Sequence, residues 1–133
     1  MKAKAVTLQV PLFERYVTVL VAKEPAKLDA RNAFVDAYEH FDGFMRKRAK
    51  HDWETFSEES FEGLDGLCIH SGELGPRFVV WVKEFRTGLL MHELTHVADR
   101  ILQSTNVGDN TEVRAYLMEW LSRETVNGLR GKR

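Results

Sequence analysis

The sequence predicts an α+β fold: a small, mostly antiparallel sheet packed on an amino-terminal helix and on a later helix that is followed by a carboxyl-terminal one. Three observations carry this. Residues 6–22 and 66–83 hold runs rich in β-branched and aromatic residues. Between them Leu28, Phe34, Val35, Tyr38, Phe41 and Met45 recur at helical spacing, and the same periodicity returns after residue 88. At 133 residues and 44% hydrophobic content, the chain has material for one real core, so a single domain over 1–133 is expected.

The elements follow in order. Val6–Val10 alternates, Pro11 interrupts, and Tyr16–Ala22 is β-branched, which gives two short strands separated by the proline. The helix from Pro25 onward breaks at Gly43, with Arg46–Lys50 as a solvated basic cluster at its end. Residues 51–65 are polar and acidic around Trp53, Phe56 and Phe61, a loop or short helix. Gly66–His70 and Phe78–Lys83 flank the turn-rich Ser71–Pro76 and read as an antiparallel hairpin. Thr87 can cap the next helix and Gly88 tolerates a tight entry. Ser104–Asn110 is a loop with Gly108 as its turn residue. Asn110 or Thr111 can cap a last helix from Glu112 to about Val126, ending at Asn127-Gly128 before a frayed basic tail.

Composition narrows the function classes. Nineteen Lys and Arg nearly balance twenty Asp and Glu, so no global field argues for nucleic acid or an anionic membrane surface. No apolar run approaches a membrane span, and the amino terminus lacks the long apolar segment of a secretory signal. Cys68 has no internal disulfide partner and sits in an apolar run, where a buried, unreactive thiol is expected. A cytoplasmic protein is the expectation.

The chemistry concentrates in His92-Glu93-Leu94-Thr95-His96. On a helix, His92 and His96 stand one turn apart on one face, where both imidazoles can reach one zinc ion. Glu93 is rotated by about 100° and lies beside that ion, placed to take a proton from water. Leu90, Leu94, Val97 and Ile101 form an apolar stripe opposite a polar one made by His92, His96, Asp99 and Gln103. The helix is therefore expected to be mostly buried, with its His face lining a cleft.

A catalytic zinc keeps three protein ligands and one open position. Glu112 is the leading third ligand, since a helix–loop–helix connection can return the start of the second helix to the first, with Tyr116 one turn on and Ala115 permitting close approach. Asp99 is a second possibility, as a ligand or as the hydrogen-bond partner of a ligand's other ring nitrogen, and Glu119 a third. Zinc leads over other divalent ions for a two-histidine, one-carboxylate site.

His92-Glu93-x-x-His96 resembles the active-site helix of the zincin metallopeptidases, and a glutamate on a later helix is similar to their gluzincin branch. The block Met91–Leu121, with Thr111–Leu117 inside it, resembles small zincin-like proteins of bacteriophages and prophages, over about a quarter of the chain. The Asn-Glu-x-x-Ser-Asp signature of the thermolysin-like enzymes and the third-histidine extension of the metzincins are absent. The resemblance implies a minimal zincin-like domain that hydrolyses peptide bonds of a protein or peptide substrate with zinc, Glu93 as general base and Tyr116, or next His70, as the second oxyanion donor. If Phe78–Lys83 is an edge strand, it would pair with extended substrate.

Two other classes compete with this one. One is a non-catalytic, metal-stabilised phage or prophage accessory or assembly protein on the same scaffold. The other is an adaptor or nucleic-acid module using Arg46–Lys50 and Arg130–Arg133. The acid between the two histidines favours the hydrolase, because a structural zinc site has no use for it.

Overall fold

The computed structural model describes residues 2–70, 72–105 and 110–131, apart from the side chain of Glu73. Strands β1 (Lys4–Val10) and β2 (Arg15–Val21) form an antiparallel hairpin with Thr7 opposite Thr18. The connection turns through Leu12 and Glu14, both at positive φ (70° and 51°), an uncommon conformation for residues with a Cβ. Helices α1 (Leu28–Asp36) and α2 (Gly43–Ser57) follow, then β3 (Gly66–Ile69), β4 (Arg77–Val82), α3 (Thr87–Ser104) and α4 (Thr111–Leu129). The sheet order is β1-β2-β4-β3, with β4 parallel to β2 and antiparallel to β3.

The expected α+β architecture is present, and both sheet faces are covered. Residues of β2 and β4 alternate between them: Val17, Val19, Val21, Phe78, Val80 and Val82 pack toward α3 and α4, while Leu20, Val79 and Trp81 pack toward α1 and α2. A strand buried on both faces reads as a continuous apolar run, and Phe78-Val79-Val80-Trp81-Val82 is one. That explains a correction: Phe78–Lys83 is not at an edge, since β4 lies inside the sheet and the short β3 closes that side.

Residues 51–65 also differ from expectation. Helix α2 runs on to Ser57, because Met45, Ala49, Asp52, Trp53 and Phe56 make a buried helical stripe that the intervening charges obscure. The rings of Phe34, Trp53, Phe56, Phe61 and Trp81 form a chain with centroids 4.9–5.4 Å apart, so this segment supplies core. Asp42 restarts the helix by accepting a hydrogen bond from the Met45 amide (3.0 Å). The basic cluster Arg46–Lys50 therefore lies in the first half of α2, not at a carboxyl end, and Arg48 stacks over Phe44.

Helix α3 begins at Thr87 with Arg86 in the capping position and no side-chain cap, so Thr87 is its first residue and not its cap. Asn110 caps α4 by accepting from the Val113 amide (3.0 Å). Helix α4 continues past Asn127-Gly128, because Leu129 extends the buried series Leu117, Leu121, Thr125. Ser71, Gly108 and the tail residues Lys132 and Arg133 lie outside the described residues.

On the α1/α2 side runs a buried polar chain with no counterpart in the sequence expectations. The Thr7 and Thr18 hydroxyls meet at 2.9 Å, Thr18 donates to the Tyr38 hydroxyl (2.9 Å), and Tyr38 donates to Asp52 (2.9 Å). Arg77 Nε and Nη2 then clamp Asp52 at 2.7 and 2.8 Å. All five residues are buried. Burial and the Asp52 carboxylate hold the Tyr38 hydroxyl far above its ordinary pKa, so it stays protonated and donates.

Candidate metal site on helix α3

Helix α3 buries Leu90, Leu94, Val97, Ala98, Ile101 and Leu102 against the sheet and α4, so the opposite face is left to solvent. His92 and His96 occupy that outer face, both exposed, with ring centroids 5.0 Å apart and planes at 86°. Each of His92, Glu93 and His96 can offer a ligand atom, and these atoms lie within 4.8 Å of one another.

Glu93 differs from its neighbours in being buried, at 5% exposure. Its side chain turns under the helix toward the start of β3. A Cβ on Gly66 would stand 3.2 Å from Glu93 Cγ and 3.1 Å from the Trp81 carbonyl oxygen, so only glycine leaves the carboxyl this space. Glu93 Oε2 is buried without a protein hydrogen-bond partner. Burial raises the Glu93 pKa above the usual carboxylate range, and the His92 and His96 side chains partly oppose that. An orphaned carboxylate oxygen beside two imidazoles suits a divalent ion with a polarised ligand, since a lone buried acceptor is otherwise costly.

Two contacts tie α4 to α3 on either side of the motif. The Ser122 hydroxyl lies 3.1 Å from the Met91 sulfur and 2.6 Å from its own Met118 carbonyl, and Arg114 donates to Asp99. Both contacts belong to one antiparallel register. That register sets Glu119 level with Leu94, between the two histidines, and Tyr116 level with Val97. Glu112 comes level with Ile101, about 7.5 Å along the axis beyond His96.

The expected third ligands therefore stand as follows. Glu112 is exposed in the first turn of α4 and is outside the His92–Glu93–His96 group among the described residues, as is Glu119, whose carboxylate meets Arg123 at 3.4 Å. Asp99 is taken up by Arg114. Tyr116 is 48% exposed on α4. His70 stacks on Phe78 (4.6 Å, 22°) at the far end of β3, where burial, Arg100 and Arg15 lower its pKa. Cys68, half-buried between them, has its thiol pushed up to about 12 by burial and by Glu93. The sequence missed the pairing of Gly66 with Glu93; its signal was a glycine opening a strand, which often marks close approach of another group.

Among the described residues no helix is long and apolar enough to cross a membrane. No protein-family model, curated protein or solved structure matches this chain.

Proposed function

We propose that this protein is a zinc-dependent peptidase, with His92 and His96 as metal ligands and Glu93 as general base. The observation that supports it best is the Glu93 carboxyl: buried, unpartnered at Oε2, of raised pKa, and beside two exposed imidazoles whose donor atoms converge with it. A divalent cation held there supplies Lewis acidity and makes water a nucleophile near neutral pH. With that ion bound, Glu93 would accept the proton from the attacking water and deliver it to the departing amine. Tyr116, exposed on α4, would serve as donor to the developing oxyanion, with His70 next. The free edge of β3, beside Glu93, takes the role the sequence gave to β4, pairing with extended peptide backbone. For the third ligand the register favours Glu119 over Glu112.

A second reading has its own observation. Glu93 lies within the same 4.8 Å group as the histidines, so it can itself ligate, giving a metal-stabilised accessory protein with no free base.

Metal analysis with a peptide-library cleavage assay separates the two. For a peptidase, Glu93→Gln keeps zinc and loses cleavage, His96→Ala loses both, and Glu119→Gln loses more metal than Glu112→Gln. Loss of zinc from Glu93→Gln, with no cleavage by wild type, supports the second reading.

A further inference from the structure

Helix α3 carries, beyond its histidines, a cation that the reaction does not use. Arg100 follows Glu93 by about two turns, so both side chains leave the helix on the side that faces β3, about 10 Å apart along the axis. Strand β3 runs alongside in the same direction. Gly66 meets Glu93, Cys68 packs into the core on the α3 side, and His70, just past the strand, stacks on Phe78 of that same core. These three residues alternate onto one sheet face, so β3 leads from the metal site at one end to Arg100 at the other.

A second cation reaches this end from β2. Arg15 donates to the Ser104 hydroxyl (3.3 Å), which lies one turn beyond Arg100 on α3. Electrostatics agree with this placement: Arg100 and Arg15 both lower the His70 pKa, and Cys68, midway along β3, is raised by Glu93 and lowered by Arg100. Among the described residues Arg100 makes no hydrogen bond or ion pair. Its neighbour Asp99 is turned the other way and held by Arg114 on α4, and Glu14, which precedes Arg15, is exposed in the β1–β2 turn. Two guanidiniums beside a neutral imidazole suit a carboxylate, which such a fork binds through paired N–H donors.

We infer that this end of β3 is a substrate subsite: a peptide lying along the strand, with its cut bond at Glu93, sets a carboxylate about three residues from that bond between Arg100 and Arg15, with the His70 ring as wall. The inference rests on the peptidase reading for where the cut falls, and it leaves the oxyanion role to Tyr116. Chain direction decides the source of the carboxylate. A peptide antiparallel to β3 brings its amino-terminal side to the arginines, so the group is an Asp or Glu side chain; a parallel one can also present a free carboxyl end.

The test reads binding apart from cleavage. Isotope-labelled Glu93→Gln, with and without zinc, is titrated by NMR with acetylated hexapeptides of random uncharged residues in three sets: one Glu and an amidated end, Gln in its place and an amidated end, and Gln with a free carboxyl end. Expected are shifts at the β3 amides and the Arg100 side chain, with the Glu set at least about tenfold tighter than the uncharged set; the free-carboxyl set matches it if the peptide runs parallel. Arg100→Glu should abolish that ratio and Arg15→Gln should lower it, whereas Lys47→Gln, on α2 across the sheet, should keep it. Equal binding of all three sets, shifts confined to other elements, a ratio that survives Arg100→Glu, or full displacement by equimolar inorganic phosphate would each overturn the inference. Wild type with zinc separates the two readings. Cleavage with no preference for a nearby carboxylate removes the subsite and leaves the peptidase; the binding preference with no cleavage removes the peptidase and leaves a carboxylate-selective peptide site.

Discussion

Gly66 and Glu93 face each other across the seam between β3 and α3 with no space for a side chain on the strand: a Cβ there would stand 3.2 Å from Glu93 Cγ. Because the backbone oxygen of Trp81 is 3.1 Å away on another side, the strain cannot be relieved by moving Glu93 alone. Gly66→Ala should cost about 1–3 kcal/mol, read from urea midpoints. If Glu93 is the base, the same change lowers cleavage by up to about a hundredfold while zinc content stays at the wild-type level.

The Asp52–Arg77 clamp stands deep in the opposite layer, and its worth depends on both partners being present. Asp52→Ala leaves a guanidinium buried and unpaired and should cost about 3–5 kcal/mol in denaturant unfolding. Replacing both, Asp52→Leu with Arg77→Met, should recover most of that loss. A double variant as unstable as the single one would mean that the Thr7–Thr18–Tyr38 hydrogen bonds, not the ion pair, carry the effect.

Cys68 gives a chemical readout of the same packing. With its thiol raised to about 12, it should react with a disulfide reagent at least about a hundredfold more slowly in the native protein than in urea. The raised value also fixes a sign. The unfolded thiol ionises first, so this group's stabilisation is complete below its ordinary value of 9.0 and is lost as pH rises toward about 12. Stability should fall across that alkaline window, and Cys68→Ala should flatten the slope.

Metal linkage tests the outer face of α3. A divalent ion bound only by the folded protein adds about 2.7 kcal/mol when free ion is a hundred times its dissociation constant. Chelation should therefore lower the melting temperature of the wild type and leave His96→Ala unchanged. Equal melting with and without chelator would remove the site.

Much of this arrangement was legible in the residues. The stripe Leu90, Leu94, Val97, Ile101 set the histidines on the face of α3 opposite the core, although both stand exposed where a cleft was expected, and Asn110 marked the start of α4 because local periodicity and capping act over a few neighbours. What escaped was non-local or masked by charge. The extension of α2 to Ser57 was hidden because its buried stripe includes Asp52, whose partner Arg77 is 25 residues away. The inner position of β4 follows from which strands pair, although its unbroken apolar run already hinted at burial on both faces. The level of Glu112 against α3 depends on interhelical register, which spacing along one chain does not fix.

The parallel pairing of β2 with β4 has a consequence for how the chain acquires this form. β2 is laid down early, yet the neighbour that completes it arrives only after α1, α2 and β3, and Trp81 then reaches back 59 residues to bond the Ala22 carbonyl. Until β4 slots between β2 and β3, the amino-terminal hairpin has two open sides and the sheet has no middle. Completing the sheet therefore requires a long-range closure, and contacts of that sequence separation are slow to form.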